Sequence, residues 1–210
     1  MHTSPSESRP AATAPVVTPV IGADGKARPP WAATDPILRD YYDTEWGMPV
    51  RDEAGMFERL CLEGFQVGLS WRLILTKRER LRDAFFGFDP DQVARMEGIE
   101  HLLDDASLIR NRRKLTAPLT NARATLRLRE NGTDLAELIW SYQPDSTPAP
   151  RTSRDVPTRS AQSEALAKEL KRRGFTMVGP VTMYALMESV GIVDTNLVGT
   201  WRRGASGVWG

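Results

Sequence analysis

Residues 174–196 read GFTMVGPVTMYALMESVGIVDTN, and the rest of the chain is best read outward from them. Gly174 is the residue type expected just past a helix end, because glycine enters the left-handed region without a Cβ penalty. Pro180 suits a first helical position, where its fixed φ helps and its missing N–H costs nothing. Between them lies the short turn Met177-Val178-Gly179, so the stretch predicts two helices joined by a tight hairpin over about 165–196. In such a turn successive backbone N–H groups point outward beside a helix N-terminus, which favours a phosphate oxygen. Gly179 has no Cβ to hold a phosphate at a distance. Lys171, Arg172 and Arg173 lie just upstream and add a sequence-independent attraction to a polyanion. Taken alone, the same signals fit an ordinary helical hairpin whose glycine is a cap.

The remaining segments also read as helices. Asp35-Pro36 and Asp89-Pro90 each supply an N-cap followed by a proline, opening helices at about 36–45 and at 90. Asp52 can cap a helix whose apolar face is Met56, Phe57, Leu60 and Cys61. Helical spacing continues through 70–84, 99–105, 111–130 and 134–142, with Asn131-Gly132 as a stop, and Ser160 opens the helix that ends at Gly174. No period-two run bounded by hairpin turns is present. The fold class is therefore all-α, with two helical lobes around a cleft expected from the family resemblance given below. Residues 1–28 are rich in Pro, Ala, Ser and Thr and are expected to be a disordered tail ahead of a helical domain over 29–210.

Composition narrows the function classes. With 40% hydrophobic residues the chain can bury an ordinary core, and it has no apolar run long enough for a transmembrane helix. The start MHTSPSESRPAATAPVV has neither the basic nor the apolar region of a signal peptide. A single cysteine, Cys61, excludes an internal disulfide framework and fits a reducing cytoplasm. The net charge of +1 conceals an asymmetry: residues 1–106 carry 12 basic and 18 acidic side chains, residues 107–210 carry 16 and 9. A basic C-terminal half suits a polyanion, although a solvated surface of mixed charge has the same arithmetic.

The hairpin, its apolar second helix and the Val193-Asp194-Thr195 ending together resemble the helix-hairpin-helix element of the endonuclease III-type DNA glycosylase superfamily. The N-terminal half is more specific. Arg28-Pro29-Pro30-Trp31, Tyr41-Tyr42-Asp43-Thr44-Glu45-Trp46-Gly47, Leu62-Glu63-Gly64-Phe65-Gln66-Val67-Gly68-Leu69-Ser70-Trp71 and Ile109-Arg110-Asn111-Arg112 resemble the DNA-3-methyladenine glycosylase I family, in an order that runs from about Trp31 to Thr200. The resemblance implies a monofunctional N-glycosylase that removes 3-methyladenine or a related alkylated purine from double-stranded DNA. It implies no β-lyase step, because Val181 stands where bifunctional members of the superfamily hold a lysine. A monomer without a cofactor is expected.

Site roles follow from the same resemblance. Glu63 matches the base-recognising glutamate, Trp31, Tyr41, Trp46 and Trp71 match the aromatic pocket, and Leu69 falls on the loop that wedges the duplex. The residue types suit the chemistry: a base methylated at N3 is cationic, and aromatic faces attract a desolvated cation by up to ~2 kcal/mol. Stacking also offsets the cost of flipping the base out. Without their neighbours, Trp46 and Trp71 would read as core and Glu63 as a solvated helix residue. Many family members hold zinc with two Cys and two His; the matching positions here are Pro29, Tyr42, Asn196 and Thr200, so no metal is expected. Leu38 replaces a pocket tyrosine. Asp194 sits where the superfamily places an aspartate facing the flipped nucleotide, and it serves equally well as a helix cap. A DNA-binding protein that has lost catalysis is the rival reading, and a nucleobase-binding protein without duplex affinity is a third.

Overall fold

Helix starts fall where the sequence places its caps. In the computed structural model, which describes residues 18–209, Asp35 accepts from the backbone N–H groups of Ile37 (2.9 Å) and Leu38 (3.1 Å) at the head of α2, Pro36–Thr44. Asp52 caps α3, Glu53–Gln66, through Gly55 N, and Ser70 caps α4, Trp71–Ala84, through Leu73 N. A 3-10 turn, Phe86–Phe88, leads to the short α5, Pro90–Ala94, and α6, Glu100–Leu103. The long α7, Arg112–Glu130, and α8, Leu135–Trp140, follow, capped by Asn111 and Asp134. Ser160 and Ser163 form a capping box that opens α9, Ala161–Arg172, and Pro180 opens α10, Pro180–Ser189. The all-α expectation holds.

Two features depart from the sequence reading. A four-residue helix, α1 at Pro30–Ala33, precedes α2. The last part of the stretch expected as a tail over 1–28 is folded instead: β1, Val20–Ile21, pairs with β2, Ala27–Arg28, in a small antiparallel hairpin. Arg28 there is buried and grips Asp24 and Asp43 at 2.6 Å each, a pair of ionic contacts that composition does not reveal. Residues 1–17 lie outside the described residues.

The core is built around α3, which packs against α4, α7, α8 and α10. Its apolar positions Met56, Phe57, Leu60, Leu62 and Phe65 are all buried, each contributing roughly 1.5–3 kcal/mol of transfer free energy as an upper estimate. The α9–α10 hairpin turns at Gly174 (φ +90°) and Met177 (φ +59°). Asn121 of α7 fixes it, donating to Thr176 O (3.2 Å) and accepting from Thr176 N (2.8 Å). Gly64 lets the turn approach α3: a Cβ there would stand 3.3 Å from that of Met177. The hairpin is thereby seated on the helix that carries Glu63.

Candidate active site

A cavity of about 400 Å³ opens between α1, α2 and α4 on one side and α3 and α10 on the other. Trp31, Tyr41, Trp46, Glu63 and Trp71 all line it, so the tertiary structure gathers five residues chosen from order along the chain. Leu38, Gln66, Ser70, Arg72, Ala185 and Glu188 complete the wall. The rings brace one another: Tyr41 and Trp71 lie 5.3 Å apart, Trp31 meets Trp46 edge-on at 5.5 Å, and Trp46 stacks on Tyr42 at 5.8 Å. Such contacts hold aromatic faces in place before a ligand arrives. The Tyr41 hydroxyl and the Trp71 indole N–H are buried and have no hydrogen-bond partner among the described residues.

The electrostatics are unusual. Glu63 is buried, and desolvation, reinforced by the charge of Glu188, raises its pKa to about 8; Arg59 and the Ser189 hydroxyl pull the other way. Glu188 is raised to about 7 by desolvation, against the pull of a hydrogen bond from Thr195 Oγ1. Behind the rings, Glu45 receives Arg59 (2.6 Å) and Arg78 (2.8 Å), and Arg78 also reaches Glu58 (2.8 Å). This network keeps Glu45 below the ordinary carboxylate range, despite burial, through the Arg78 and Arg59 contacts. It also fixes the α2, α3 and α4 surfaces that carry Tyr41, Glu63 and Trp71. Burial drives the Tyr41 phenol well above its ordinary value, so it stays protonated and able to donate.

Glu188 escaped the sequence reading. A signal was available: it is the lone charge in the otherwise apolar helix PVTMYALMES.

Other expected residues fall elsewhere. Leu69 is half-buried against the core, and the exposed apolar side chain of its loop is Val67, 42% accessible, next to Gly68 at φ +73°. Lys114 clamps the base of that loop by donating to the carbonyls of Phe65 (2.7 Å) and Val67 (2.5 Å). Asp194 does not line the cavity. Its Oδ1 accepts from Asn196 N and Asn196 Nδ2, both at 2.9 Å, and its Oδ2 from Gly204 N at 2.8 Å. The carboxylate is thus engaged in holding the segment after α10, as a cap would be.

The four positions that match zinc ligands in family members do not suit zinc. Pro29 offers no ligand, and the Tyr42 hydroxyl donates to Asn196 Oδ1 at 2.6 Å in a buried setting beside Thr200. Phenol, amide and hydroxyl groups do not supply the thiolate, imidazole or carboxylate set that zinc favours. Hydrogen bonds join the two chain ends instead. Arg202 donates to Asp43 O (2.9 Å) and Trp46 O (2.8 Å), and Trp201 Nε1 donates to Asp43 Oδ1 (3.1 Å).

At the hairpin, Lys171 is exposed, whereas Arg172 and Arg173 both bind Glu169, at 2.6 and 2.5 Å. Gly179 is the N-cap of α10 and has no side-chain cap. Its φ of −73° suits any residue, and an added Cβ would meet nothing nearer than Thr182 Oγ1 at 3.8 Å. Gly179→Ala is therefore expected to leave thermal stability unchanged or slightly higher. If this turn holds a phosphate of duplex DNA, the added methyl group should obstruct it and affinity should fall by about tenfold. Melting curves and gel shifts on the same preparation check both halves; unaltered DNA affinity would remove the hairpin from the interface.

Comparison with known proteins agrees with this geometry. The family model described as methyladenine glycosylase matches residues 31–203. DNA-3-methyladenine glycosylase 1 of Escherichia coli K12 is 44% identical over 174 residues, covering 80% of this chain and 92% of that protein. The DNA-3-methyladenine glycosylase of Haemophilus influenzae is 43% identical over 175 residues, covering 81% and 94%. Among solved structures, a 3-methyladenine DNA glycosylase I superposes with a TM-score of 0.81 at 39% identity, covering 84% of this chain and 99% of that one. The Staphylococcus aureus enzyme, solved to explain 3-methyladenine recognition, gives 0.77 at 31% identity, covering 81% and 93%. With a helical core, an aromatic cavity around Glu63 and matches over most of its length, the chain belongs to the methyladenine glycosylase family.

Proposed function

We propose that the protein is a monofunctional DNA N-glycosylase that removes 3-methyladenine or a related alkylated purine from double-stranded DNA, acting as a monomer in the cytoplasm. The observation that carries this reading is Glu63: a buried carboxyl group on a cavity also lined by Trp31, Tyr41, Trp46 and Trp71. A purine methylated at N3 is positively charged while attached to the sugar, so its glycosidic bond is already weakened. The pocket then needs to select and hold the cation more than to protonate it. Stacking among Trp31, Tyr41, Trp46 and Trp71 supplies the electron-rich faces. Before a base arrives Glu63 is held largely protonated; an arriving cationic base favours its ionised form, so that the carboxylate then supplies the opposite charge. Water adds to the sugar carbon, the base departs, and an abasic site remains in the DNA.

Val181, exposed on the first turn of α10, offers no amine, so a Schiff-base route at that position is closed. Among the described residues no helix is long and apolar enough to cross a membrane. Purified protein is expected to release free 3-methyladenine from methylated duplex DNA, resolved chromatographically from other purines. The rival, a DNA-binding protein without catalysis, draws on Leu38 in the cavity wall and on the engagement of Asp194 away from it. Retained duplex binding with no base released would favour that rival.

A further inference from the structure

We propose that Glu188 is a second base-facing carboxyl group which, paired with Glu63, reads the donor–acceptor edge of a 6-aminopurine. The inference rests on the cavity being the base pocket, and deepens that reading by naming what the pocket distinguishes. Both side chains line the same cavity, one from α3 and one from α10, which pack together. Glu188 accepts from Thr195 Oγ1 at Oε1, 2.5 Å, and Oε2 makes no hydrogen bond among the described residues. Tyr41 and Trp71 present their rings on the same wall, 5.3 Å apart, so the two carboxyl groups stand beside a surface on which a planar base can stack.

Two desolvated carboxyl groups sharing one cavity do not both ionise readily. Burial raises Glu188 to about 7, and burial together with the charge of Glu188 raises Glu63 to about 8, so near neutral pH the pair retains a proton. One member then accepts a hydrogen bond while the other donates one. An adenine edge presents the complement, an amino donor beside a ring-nitrogen acceptor. The edge of guanine formed by O6 and N7 presents two acceptors and leaves the carboxylate facing an acceptor, which is costly in a buried site.

The other charged or titratable groups facing the pair are ion-paired or titrate outside the neutral to mildly alkaline range. Arg59 of α3 is paired with Glu45 at 2.6 Å. Burial raises the Tyr41 phenol beyond this range and Tyr184 of α10 to about 12. Glu45 is held low by Arg78 and Arg59, and Arg72 at the cavity wall is paired with Asp35 at 2.6 Å.

Titration of free 3-methyladenine into the protein, by calorimetry at a series of pH values, tests the proposal. Wild-type affinity is expected to fall by about tenfold from about pH 7 to about pH 9.5, as the pair loses its donor proton and opposes the ring nitrogen. Glu188→Gln keeps an acceptor for Thr195 and a donor that does not titrate. Its affinity, whatever its value at neutral pH, is therefore expected to change by less than about twofold between about pH 7 and about pH 9.5. Thr195→Val removes only the hydroxyl that stabilises the carboxylate, so the fall should move to higher pH. An alkaline fall retained in full by Glu188→Gln, or absent from the wild type, overturns the proposal. If Glu188→Gln does not fold, an unmoved fall in Thr195→Val overturns it alone. Glu63→Gln is run alongside: tight binding by that variant would instead overturn the assignment of the cavity itself.

Discussion

Glu63→Gln is expected to slow release of 3-methyladenine from duplex DNA by about 10²–10³-fold, the usual cost of removing one preorganised electrostatic group. The amide fills the same space and still forms hydrogen bonds, but it offers a cationic base no net attraction. Stability should move in the opposite sense. The carboxyl group titrates at about 8 in the folded protein instead of 4.5, so the folded state holds a proton that the unfolded state has lost. Folding stability due to this group therefore declines as pH rises from 4.5 to about 8. The glutamine variant lacks that decline and should gain on the wild type across this window. Single-turnover excision together with melting curves at several pH values checks both effects. Excision at the wild-type rate would remove Glu63 from the chemistry.

The second large effect concerns stability alone. Asp194→Ala leaves Asn196 N, Asn196 Nδ2 and Gly204 N without their acceptor, in a segment where Asp194 and Asn196 are both buried. Each unsatisfied donor costs about 1–3 kcal/mol, so a loss on the order of 3 kcal/mol is expected in denaturant unfolding. Asp194→Asn should cost less, about 1 kcal/mol, because one oxygen remains and a single N–H is turned against a donor. In both variants the folded fraction should excise the base within about twofold of the wild type, since the carboxylate does not line the cavity. A hundredfold slower single turnover by folded Asp194→Asn would return this carboxylate to catalysis.

Asp194 also shows where reading a sequence runs out. Its place after α10 fits a catalytic aspartate and a cap equally, because both roles need an acceptor at that point in the chain. Which donors reach it depends on how residues 196 and 204 fold back, and no local pattern encodes that. The basic run behaves similarly. Lys171, Arg172 and Arg173 look like free charges in the sequence, but one turn of α9 brings Arg172 and Arg173 onto Glu169. The side-chain directions in the Leu69 loop have a comparable cause: Gly68, at φ +73°, bends the loop, and Lys114 from α7 pins its carbonyls, leaving Leu69 half-buried and Val67 exposed.

Helix boundaries were legible because capping is local: Asp35, Asp52 and Ser160 bind N–H groups two or three residues ahead, and Gly174 needs only its own φ. The pocket residues Trp31, Tyr41, Trp46, Glu63 and Trp71 were legible through their order, which sets the residue types that meet once α1 to α4 fold together. Tertiary structure alone decided that Glu188 joins Glu63, that Tyr42 and Asn196 bond to each other across the fold, and that Arg28 belongs to a folded hairpin. Each of those outcomes depends on partners from distant parts of the chain and on the direction a side chain takes after packing. A pattern of near neighbours specifies local geometry; the desolvation and pairing that set the chemistry of a buried charge arise only when α3 and α10 close on each other.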